Sequence, residues 1–148
     1  MKKLTDCPYY LISRASLAVA RHLKRALAAA ELEPVRPSYL GVLMTLWRDD
    51  SLKGVDLGRQ VGLEPSSMTG LLDRMERDGL IARAADPGDR RAQRICLTRH
   101  GRNLREPVLA VVDQALAGVL SGVAEGDVEH LKVTLRQVLT NLDSSGAP

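Results

Sequence analysis

Two helices separated by a few residues are predicted between Val55 and Gly79, and this pair limits the possible folds more than any other feature of the chain. A short helix, about Val55 to Val61, ends at Gly62, which suits a left-handed C-cap. Pro65 suits the first turn of a second helix, which Gly79 stops. A short helix, a tight turn and a longer helix form the helix-turn-helix pattern.

The second of these helices has two different faces. At 100° per residue, one face carries only apolar side chains, those of Met68, Leu71, Leu72 and Met75. The opposite face begins with small hydroxyl residues and ends with arginines: Ser66, Thr69, Gly70, Asp73 and Arg77, with Ser67 and Arg74 at its margin. Small residues let a helix approach another surface closely, and Ser and Thr can bond phosphates or base edges. This face therefore indicates contact with DNA.

After Gly79 the pattern changes from helix to strand. Residues 80–85 and 93–98 are predicted strands, and in the second Ile95 and Leu97 alternate with less apolar neighbours. The residues between them, DPGDRR, supply turn chemistry. The segment is therefore predicted to be a β-hairpin whose tip carries Arg90 and Arg91.

Positive charge is concentrated around this hairpin. Residues 79–105 contain seven arginines against two aspartates, a local balance of +5, although the whole chain carries only +3. Residues 106–148 contain two basic side chains against six acidic ones, a balance of −4. Such asymmetry suggests that the hairpin region meets a polyanion.

The rest of the chain is predicted to be helical. With 45% apolar residues and no Phe, the core must be aliphatic, which favours helices. One helix is predicted over residues 8–32, a second begins at Pro37, and two more follow Thr98, which suits an N-cap. Pro107 is expected to kink or split the first of those two. The predicted fold class is mostly α with a small β-hairpin wing.

A helix-turn-helix followed by a basic hairpin is a winged helix, and here the sequence resembles the MarR family of bacterial transcription regulators. The resemblance rests on MERDGLIAR at 75–83, on DRR at 89–91 and on LTRHG at 97–101, together with helices on both sides. Arg36 and Glu64, which precede two helix-opening prolines, depart from the residues usual in the family. These departures leave the helix starts open and do not affect the fold.

The resemblance implies one domain over residues 1–148 that works as a homodimer. Residues 37–101 would form the winged helix-turn-helix, and residues 1–36 and 102–148 would form the flanking N- and C-terminal dimerisation helices. A monomer would leave the apolar faces of the terminal helices exposed, which agrees with a dimer. Each recognition helix would enter a major groove of a pseudo-palindromic site, and each wing would lie along the flanking minor groove.

The predicted DNA-contacting residues come from the polar face of the recognition helix and from the hairpin: Ser66, Ser67, Thr69, Gly70, Asp73, Arg74, Arg77, Asp89, Arg90, Arg91 and Arg94. Asp89 is predicted to brace Arg91 or the wing backbone, and Arg90 or Arg91 to be the side chain inserted in the minor groove. The alternative is that the hairpin is a solvated basic loop and that the hydroxyl residues only cap their helix.

A ligand pocket is a further hypothesis that depends on the resemblance. Members of the family often bind small aromatic acids or phenols between the dimer helices and the winged domain. Tyr9, Arg14, Tyr39 and Trp47 are the candidates to line such a pocket here. The simpler alternative is that Tyr39 and Trp47 are core residues.

Cys7 raises the possibility of a redox site. One branch of the family senses organic hydroperoxides through an N-terminal cysteine held by tyrosines, and Tyr9 and Tyr10 lie close to Cys7 in the sequence. Cys7 nevertheless falls about one helical turn too early, and an inert thiol is the simpler interpretation. Cys96 is interpreted as an ordinary wing residue.

The leading prediction is a dimeric transcription regulator, a repressor of nearby genes that a small aromatic or phenolic ligand releases from double-stranded DNA. The alternatives are a redox-responsive regulator acting through Cys7 and a winged-helix protein-interaction module. No enzyme is expected, because no nucleophile–base set, phosphate loop or paired carboxylates are found. The scattered histidines predict no metal site, and no cofactor is expected. No apolar stretch suits a signal peptide or a bilayer span, so we expect a cytoplasmic protein without a membrane partner.

Overall fold

The computed structural model describes residues 3–145, which are mostly helical. The elements are α1 (Pro8–Ala29), α2 (Leu40–Arg48), β1 (Leu52–Lys53), α3 (Gly54–Val61), α4 (Pro65–Arg77), β2 (Ile81–Ala85), β3 (Gln93–Leu97), α5 (Arg99–Asn103), α6 (Arg105–Val119) and α7 (Glu125–Ser145). Short 3₁₀ turns precede α1 and α2. The predicted fold class is confirmed, although α1 ends at Ala29 rather than at residue 32. Within residues 3–145, no helix has the length and apolarity that crossing a membrane requires.

A third strand, which the sequence did not predict, completes the sheet. The strand order is β1-β3-β2, and both pairings are antiparallel. β1 pairs Leu52 with Ile95 and Lys53 with Arg94. A strand of two residues is too short to show alternation, so periodicity could not reveal it. Because β1 pairs with β3, β3 is the central strand and is hydrogen-bonded on both sides, while β2 forms an edge of the sheet.

The helix after the wing begins and divides as its residues predict. Thr98 is the N-cap of α5, and its Oγ1 accepts a hydrogen bond from the N–H of Gly101 at 3.0 Å. The chain leaves the helix at Leu104, between α5 and α6. The ring of Pro107 would meet the carbonyl of Asn103, four residues earlier, so one continuous helix is excluded. The predicted kink or split is therefore confirmed as a split.

The first compact unit extends to Ala115 and holds the buried core. Aliphatic side chains from α1, the winged helix and the start of α6 supply it, including Leu27, Leu43, Leu57, Met75, Leu80, Ile81, Ile95 and Val108. This unit contains α1 as well as the helix-turn-helix and the sheet. α1 contributes Leu23 and Leu27 to the buried core.

The second compact unit begins at Leu116 and contains the end of α6 and all of α7. Along α7, apolar side chains recur at helical spacing and remain between 37% and 63% exposed: Leu131, Leu135, Val138, Leu139 and Leu142. A single copy of the chain therefore leaves a stripe of apolar side chains in water.

Candidate nucleic-acid interface

α4 has the two faces that its sequence predicts. Its apolar face is buried, with Met68, Leu71, Leu72 and Met75 at most 5% exposed. On the other face, six of the seven predicted DNA-contacting residues are exposed: Ser66, Ser67, Thr69, Asp73, Arg74 and Arg77.

Gly62, at φ 73°, ends α3 in the left-handed conformation that suits glycine, and Pro65 opens α4. The turn thus sets the face that α4 exposes.

The first two turns of the exposed face carry only short side chains. Thr69 donates its hydroxyl to the carbonyl of Pro65 at 2.9 Å, which keeps this side chain against its own helix. Gly70 is half-buried, and a Cβ there would lie 3.6 Å from Nη1 of Arg74. The guanidinium of Arg74 therefore lies near the bare backbone of Gly70. Because its first two turns carry only short side chains, this face of α4 can be approached closely by a second molecule.

The arginines of this region fall into two sets according to their contacts. Arg83 pairs with Asp73 at 2.7 Å and with Glu76 at 3.4 Å, and Arg94 pairs with Asp86 at 2.7 Å. The second set is exposed and forms no ion pair with any residue in 3–145: Arg74, Arg77, Arg90 and Arg91. Guanidinium groups without a carboxylate partner can bind phosphate oxygens or guanine edges.

Three residues predicted to contact DNA have intramolecular contacts. Asp73 is exposed on α4, but its carboxylate is engaged by an arginine of β2. Asp89 Oδ1 accepts a hydrogen bond from the N–H of Arg91 at 2.9 Å, a contact with the wing backbone. Nη1 of Arg94 donates to the carbonyl of Ser51 at 2.6 Å, in addition to its ion pair. These contacts hold the wing and α4 in place.

Asp86 is a wing residue that the sequence analysis did not single out. It is 6% exposed, and its Oδ1 accepts hydrogen bonds from the N–H groups of Gly88 at 2.8 Å and Asp89 at 3.0 Å. The backbone hydrogen bond from Gly88, followed by the nearby charge of Arg94, holds the pKa of Asp86 below its ordinary value. An Asp that opens an Asp-Pro-Gly turn is a sequence signal for this role.

Asp50 is a second organising carboxylate, and the sequence contains no sign of it. Its Oδ1 accepts hydrogen bonds from the N–H groups of Ser51 at 2.7 Å and Leu97 at 2.9 Å, and its Oδ2 lies 3.4 Å from Nη1 of Arg102. Leu97 is 47 positions further along the chain, so only the fold brings the two together. Asp50 thereby joins the segment before β1 to the end of β3.

The four residues predicted to line a ligand pocket lie in different environments. Tyr39 is fully buried, and its hydroxyl donates to Oδ2 of Asp78 at 2.6 Å. Burial, and then this hydrogen bond, raise the pKa of Tyr39. The indole N–H of Trp47 donates to a backbone carbonyl of α5 at 2.9 Å. Tyr9 is 79% exposed on α1, where Arg14 is also exposed.

A cleft of about 690 Å³ runs along α1 and the segment leading into α2. Its lining combines apolar residues with three cations and one carboxylate: Leu17, Ala20, Arg21, Lys24, Ala28, Glu33, Pro34, Val35, Arg36, Pro37 and Ser38. The three cations form no ion pair with the residues described, 3–145. Ligand sites commonly measure roughly 300–1,000 Å³, so the cleft is large enough for a small organic anion.

The two cysteines are free thiols, each half-buried. Cys7 is the N-cap residue of α1, and Cys96 lies on β3 opposite Ala82. Among residues 3–145, no group of three His, Cys, Asp or Glu side chains is placed to hold a metal ion.

Known proteins resemble this chain over nearly its whole length. The family profile described as MarR family matches residues 37–92. The organic hydroperoxide resistance transcriptional regulator of Bacillus subtilis is 31% identical over 140 residues, which cover 95% of this chain and 92% of that protein.

Two solved structures from Rhodococcus share the fold. A MarR-family transcriptional regulator of Rhodococcus sp. RHA1 has a TM-score of 0.81 and 29% identity, covering 93% of this chain and 96% of its own. CouR of Rhodococcus jostii RHA1, bound to p-coumaroyl-CoA, has a TM-score of 0.78 and 27% identity, covering 93% and 95%.

Proposed function

This chain belongs to the MarR family of transcription regulators, and we propose that it is a dimeric repressor of nearby genes that acts in the cytoplasm. One observation carries the proposal. Four exposed arginines without an ion pair in residues 3–145 lie on α4 and on the hairpin tip, the two elements with which a winged helix meets DNA. If the hairpin arginines served only solubility, there would be no reason for the recognition helix α4 to carry unpaired, exposed arginines as well.

We propose that α4 enters the major groove and that the wing follows the minor groove. The short side chains of Ser66, Ser67 and Thr69 and the bare backbone of Gly70 allow close approach, and Arg74 and Arg77 reach phosphates or base edges. Arg90 and Arg91 meet the negative potential of the minor groove. Asp73, Asp89 and Arg94 contribute indirectly, because their side chains hold the interface from within the protein.

We propose that a second copy of the chain covers the exposed apolar side chains of the terminal helices. α7 contributes its stripe, and α1 exposes Leu11, Ile12 and Leu17. Residues 1–36 and 102–148 would supply this dimerisation region. Two recognition helices related by two-fold symmetry would then read a pseudo-palindromic operator.

Titration of the DNA upstream of the chain's own gene tests this function. Fluorescence anisotropy is measured for the upstream fragment and for random DNA of equal length, over a series of salt concentrations. We expect tighter binding to the upstream fragment and a steep loss of affinity with salt, because phosphate contacts release counterions. Equal and weak binding to both fragments would contradict a DNA-binding regulator and favour the alternative of a winged-helix module for protein contacts.

We propose that an organic anion with an aromatic body releases the repressor by binding in the cleft beside α1. Three cations line the cleft together with apolar side chains, and p-coumaroyl-CoA, which CouR binds, is an anion of this kind. Arg14 lies on the same face of α1 as Arg21 and Lys24, and Tyr39 follows the last cleft residue. Of the four predicted ligand residues, Arg14 supports this proposal because it shares a face of α1 with residues of the cleft, whereas Tyr39 is fully buried and bonded to Asp78.

The double variant Arg21→Ala/Lys24→Ala is expected to bind the operator normally but to resist release. The half-effective concentration of p-coumaroyl-CoA, or of p-coumarate, should rise at least about tenfold, because two charge-assisted contacts are lost. Arg25→Ala, on the same helix but outside the cleft lining, is the matched control. Equal response of the double variant and the control would exclude this cleft as the effector site.

A redox-responsive regulator is a second candidate, favoured by the 31% identity to a hydroperoxide resistance regulator and by the half-buried thiol of Cys7. Under this proposal Cys7→Ser binds the operator like the wild type but is no longer released by cumene hydroperoxide. Cys96→Ser serves as the control, and it should still respond. Release of the Cys7→Ser variant at the wild-type hydroperoxide concentration would rule the candidate out.

A further inference from the structure

The wing is anchored by a small network at its root, which we call the wing brace: the carboxylate of Asp86, the guanidinium of Arg94 and the carbonyl of Ser51. Asp86 is the one charged residue that is buried among residues 3–145. A buried carboxylate is costly unless it is paired and hydrogen-bonded. The side-chain hydrogen bonds of Asp86 all go to residues of the wing, namely Gly88, Asp89 and Arg94.

The wing brace joins three separate segments of the chain. Oδ1 of Asp86 holds the backbone of the hairpin turn through Gly88 and Asp89, while Oδ2 accepts a hydrogen bond from Nε of Arg94, on β3, at 2.7 Å. Nη1 of Arg94 donates to Ser51, the residue just before β1. Ser51 has a φ of 60°, in the left-handed region that non-glycine residues seldom occupy. Arg94 therefore fastens the turn to the far edge of the sheet.

The same turn carries the two arginines at the tip. The N–H of Asp86 donates to the carbonyl of Ala92 at 3.1 Å, and the N–H of Ala92 donates to the carbonyl of Asp89 at 3.1 Å. Arg90 and Arg91 lie between these hydrogen-bonded positions, and the N–H of Arg91 is itself held by Asp89. The backbone of the tip is thus held at both ends, while its two guanidinium groups have no ion pair within residues 3–145.

We propose that Asp86 and Arg94 are positioning residues of the DNA interface, which hold the hairpin tip in the conformation that places Arg90 and Arg91 in the minor groove. This inference rests on the proposed function. A loop that is ordered before binding loses less conformational freedom when it binds. Breaking the wing brace should therefore weaken DNA binding although no DNA-contacting side chain is removed.

Asp86→Asn separates this role from simple electrostatics. The amide can still accept the backbone hydrogen bonds of the turn but presents no negative charge to Arg94. Because the substitution makes the protein more positive by one charge, charge alone predicts tighter binding to DNA. The wing brace predicts the opposite, about tenfold weaker binding and a salt slope reduced by about 1. Glu129→Gln, which removes a charge from an exposed pair on α7, measures the effect of net charge alone.

Operator affinity is measured by anisotropy for wild type, Asp86→Asn, Arg94→Lys and Glu129→Gln, with circular dichroism and thermal unfolding of each. Arg94→Lys keeps the positive charge but replaces the two nitrogens that bond Asp86 and Ser51 by a single ammonium, which does not reproduce the geometry of the guanidinium, so an intermediate loss of about threefold is expected. Amide hydrogen exchange of Gly88, Asp89 and Arg91 should be faster in Asp86→Asn than in wild type. In an Arg90→Ala/Arg91→Ala background, Asp86→Asn should change the affinity by less than about twofold.

A folded Asp86→Asn variant that binds as tightly as Glu129→Gln would overturn the inference and leave the proposed function intact. If Asp86→Asn does not fold, Arg94→Lys decides, and wild-type affinity for that variant would overturn the inference. A loss that persists in the background without the two tip arginines would also overturn it, because the wing brace would then act elsewhere. Should that background itself bind like the wild type, the wing's part in the proposed function fails instead.

Discussion

Replacing Arg90 and Arg91 together by alanine is expected to weaken binding to the operator by roughly 10- to 100-fold at moderate salt. Both side chains are exposed at the hairpin tip, and neither has an ion pair within residues 3–145. Their charge therefore remains available to DNA. If both meet phosphates, the slope of the logarithm of affinity against the logarithm of salt concentration should fall by about 1 to 2.

Anisotropy titrations over a salt series measure both quantities. The matched control is Lys132→Ala/Arg136→Ala, which removes the same number of positive charges from α7. This control measures the effect of two fewer positive charges alone, and its salt slope should remain that of the wild type, because in the proposed complex only α4 and the wing release counterions from DNA. An unchanged slope in the Arg90→Ala/Arg91→Ala protein would contradict a wing that contacts phosphates.

Gly101→Ala is expected to cost about 3 kcal/mol of unfolding free energy, or to prevent folding. A Cβ at this position would overlap the carbonyl oxygen of Leu80 and would lie 3.1 Å from its carbonyl carbon. That carbonyl cannot move aside easily, because it accepts a hydrogen bond from the N–H of Thr98 at 3.1 Å and Leu80 is fully buried. The carbonyl of Gly101 also accepts the indole N–H of Trp47. Glycine is needed here for close packing, because α5 crosses the start of β2 at this point.

Urea unfolding followed by circular dichroism tests this expectation. Gly118→Ala is the control, since Gly118 lies within α6 and its added Cβ would have no heavy atom within 4 Å apart from its chain neighbours and the backbone of its own helix. Alanine is the better helix former, so the control should be more stable than wild type by about 0.5–1 kcal/mol. Equal midpoints for Gly101→Ala and the wild type would mean that α5 does not pack on Leu80 as closely as described.

The elements of the winged helix were predictable because their signals are local. Gly62 and Pro65 mark the turn by their backbone preferences, and the face of α4 follows from a period of 3.6 residues. Thr98 caps α5 within three residues of its own position. Pro107 excludes a continuous helix through its ring. Each of these signals acts over less than two helical turns, so one sequence is enough to read it.

The contacts that the sequence left open join residues distant along the chain. Tyr39 was a candidate for both core and pocket, and only the fold pairs its hydroxyl with Asp78, 39 positions away. β1 has two residues and no period, so its pairing with β3 could not be anticipated. The cleft beside α1 was not anticipated either, because its lining comes from a helix and an irregular segment whose approach no periodicity describes.

The arginines of α4 and of the hairpin separate what the sequence determines from what depends on the tertiary structure. The sequence alone determines that arginines lie on the polar face of α4 and on the hairpin. The first follows from the helical period and the second from the local count of charged residues, and both can be read from neighbouring positions in the chain. Which of these arginines have a carboxylate partner within the protein was decided only by the tertiary structure. Arg94 is held by Asp86 and by Ser51, the latter 43 positions away, while Arg90 and Arg91 meet no carboxylate in residues 3–145. Long-range partners of this kind depend on how the sheet assembles.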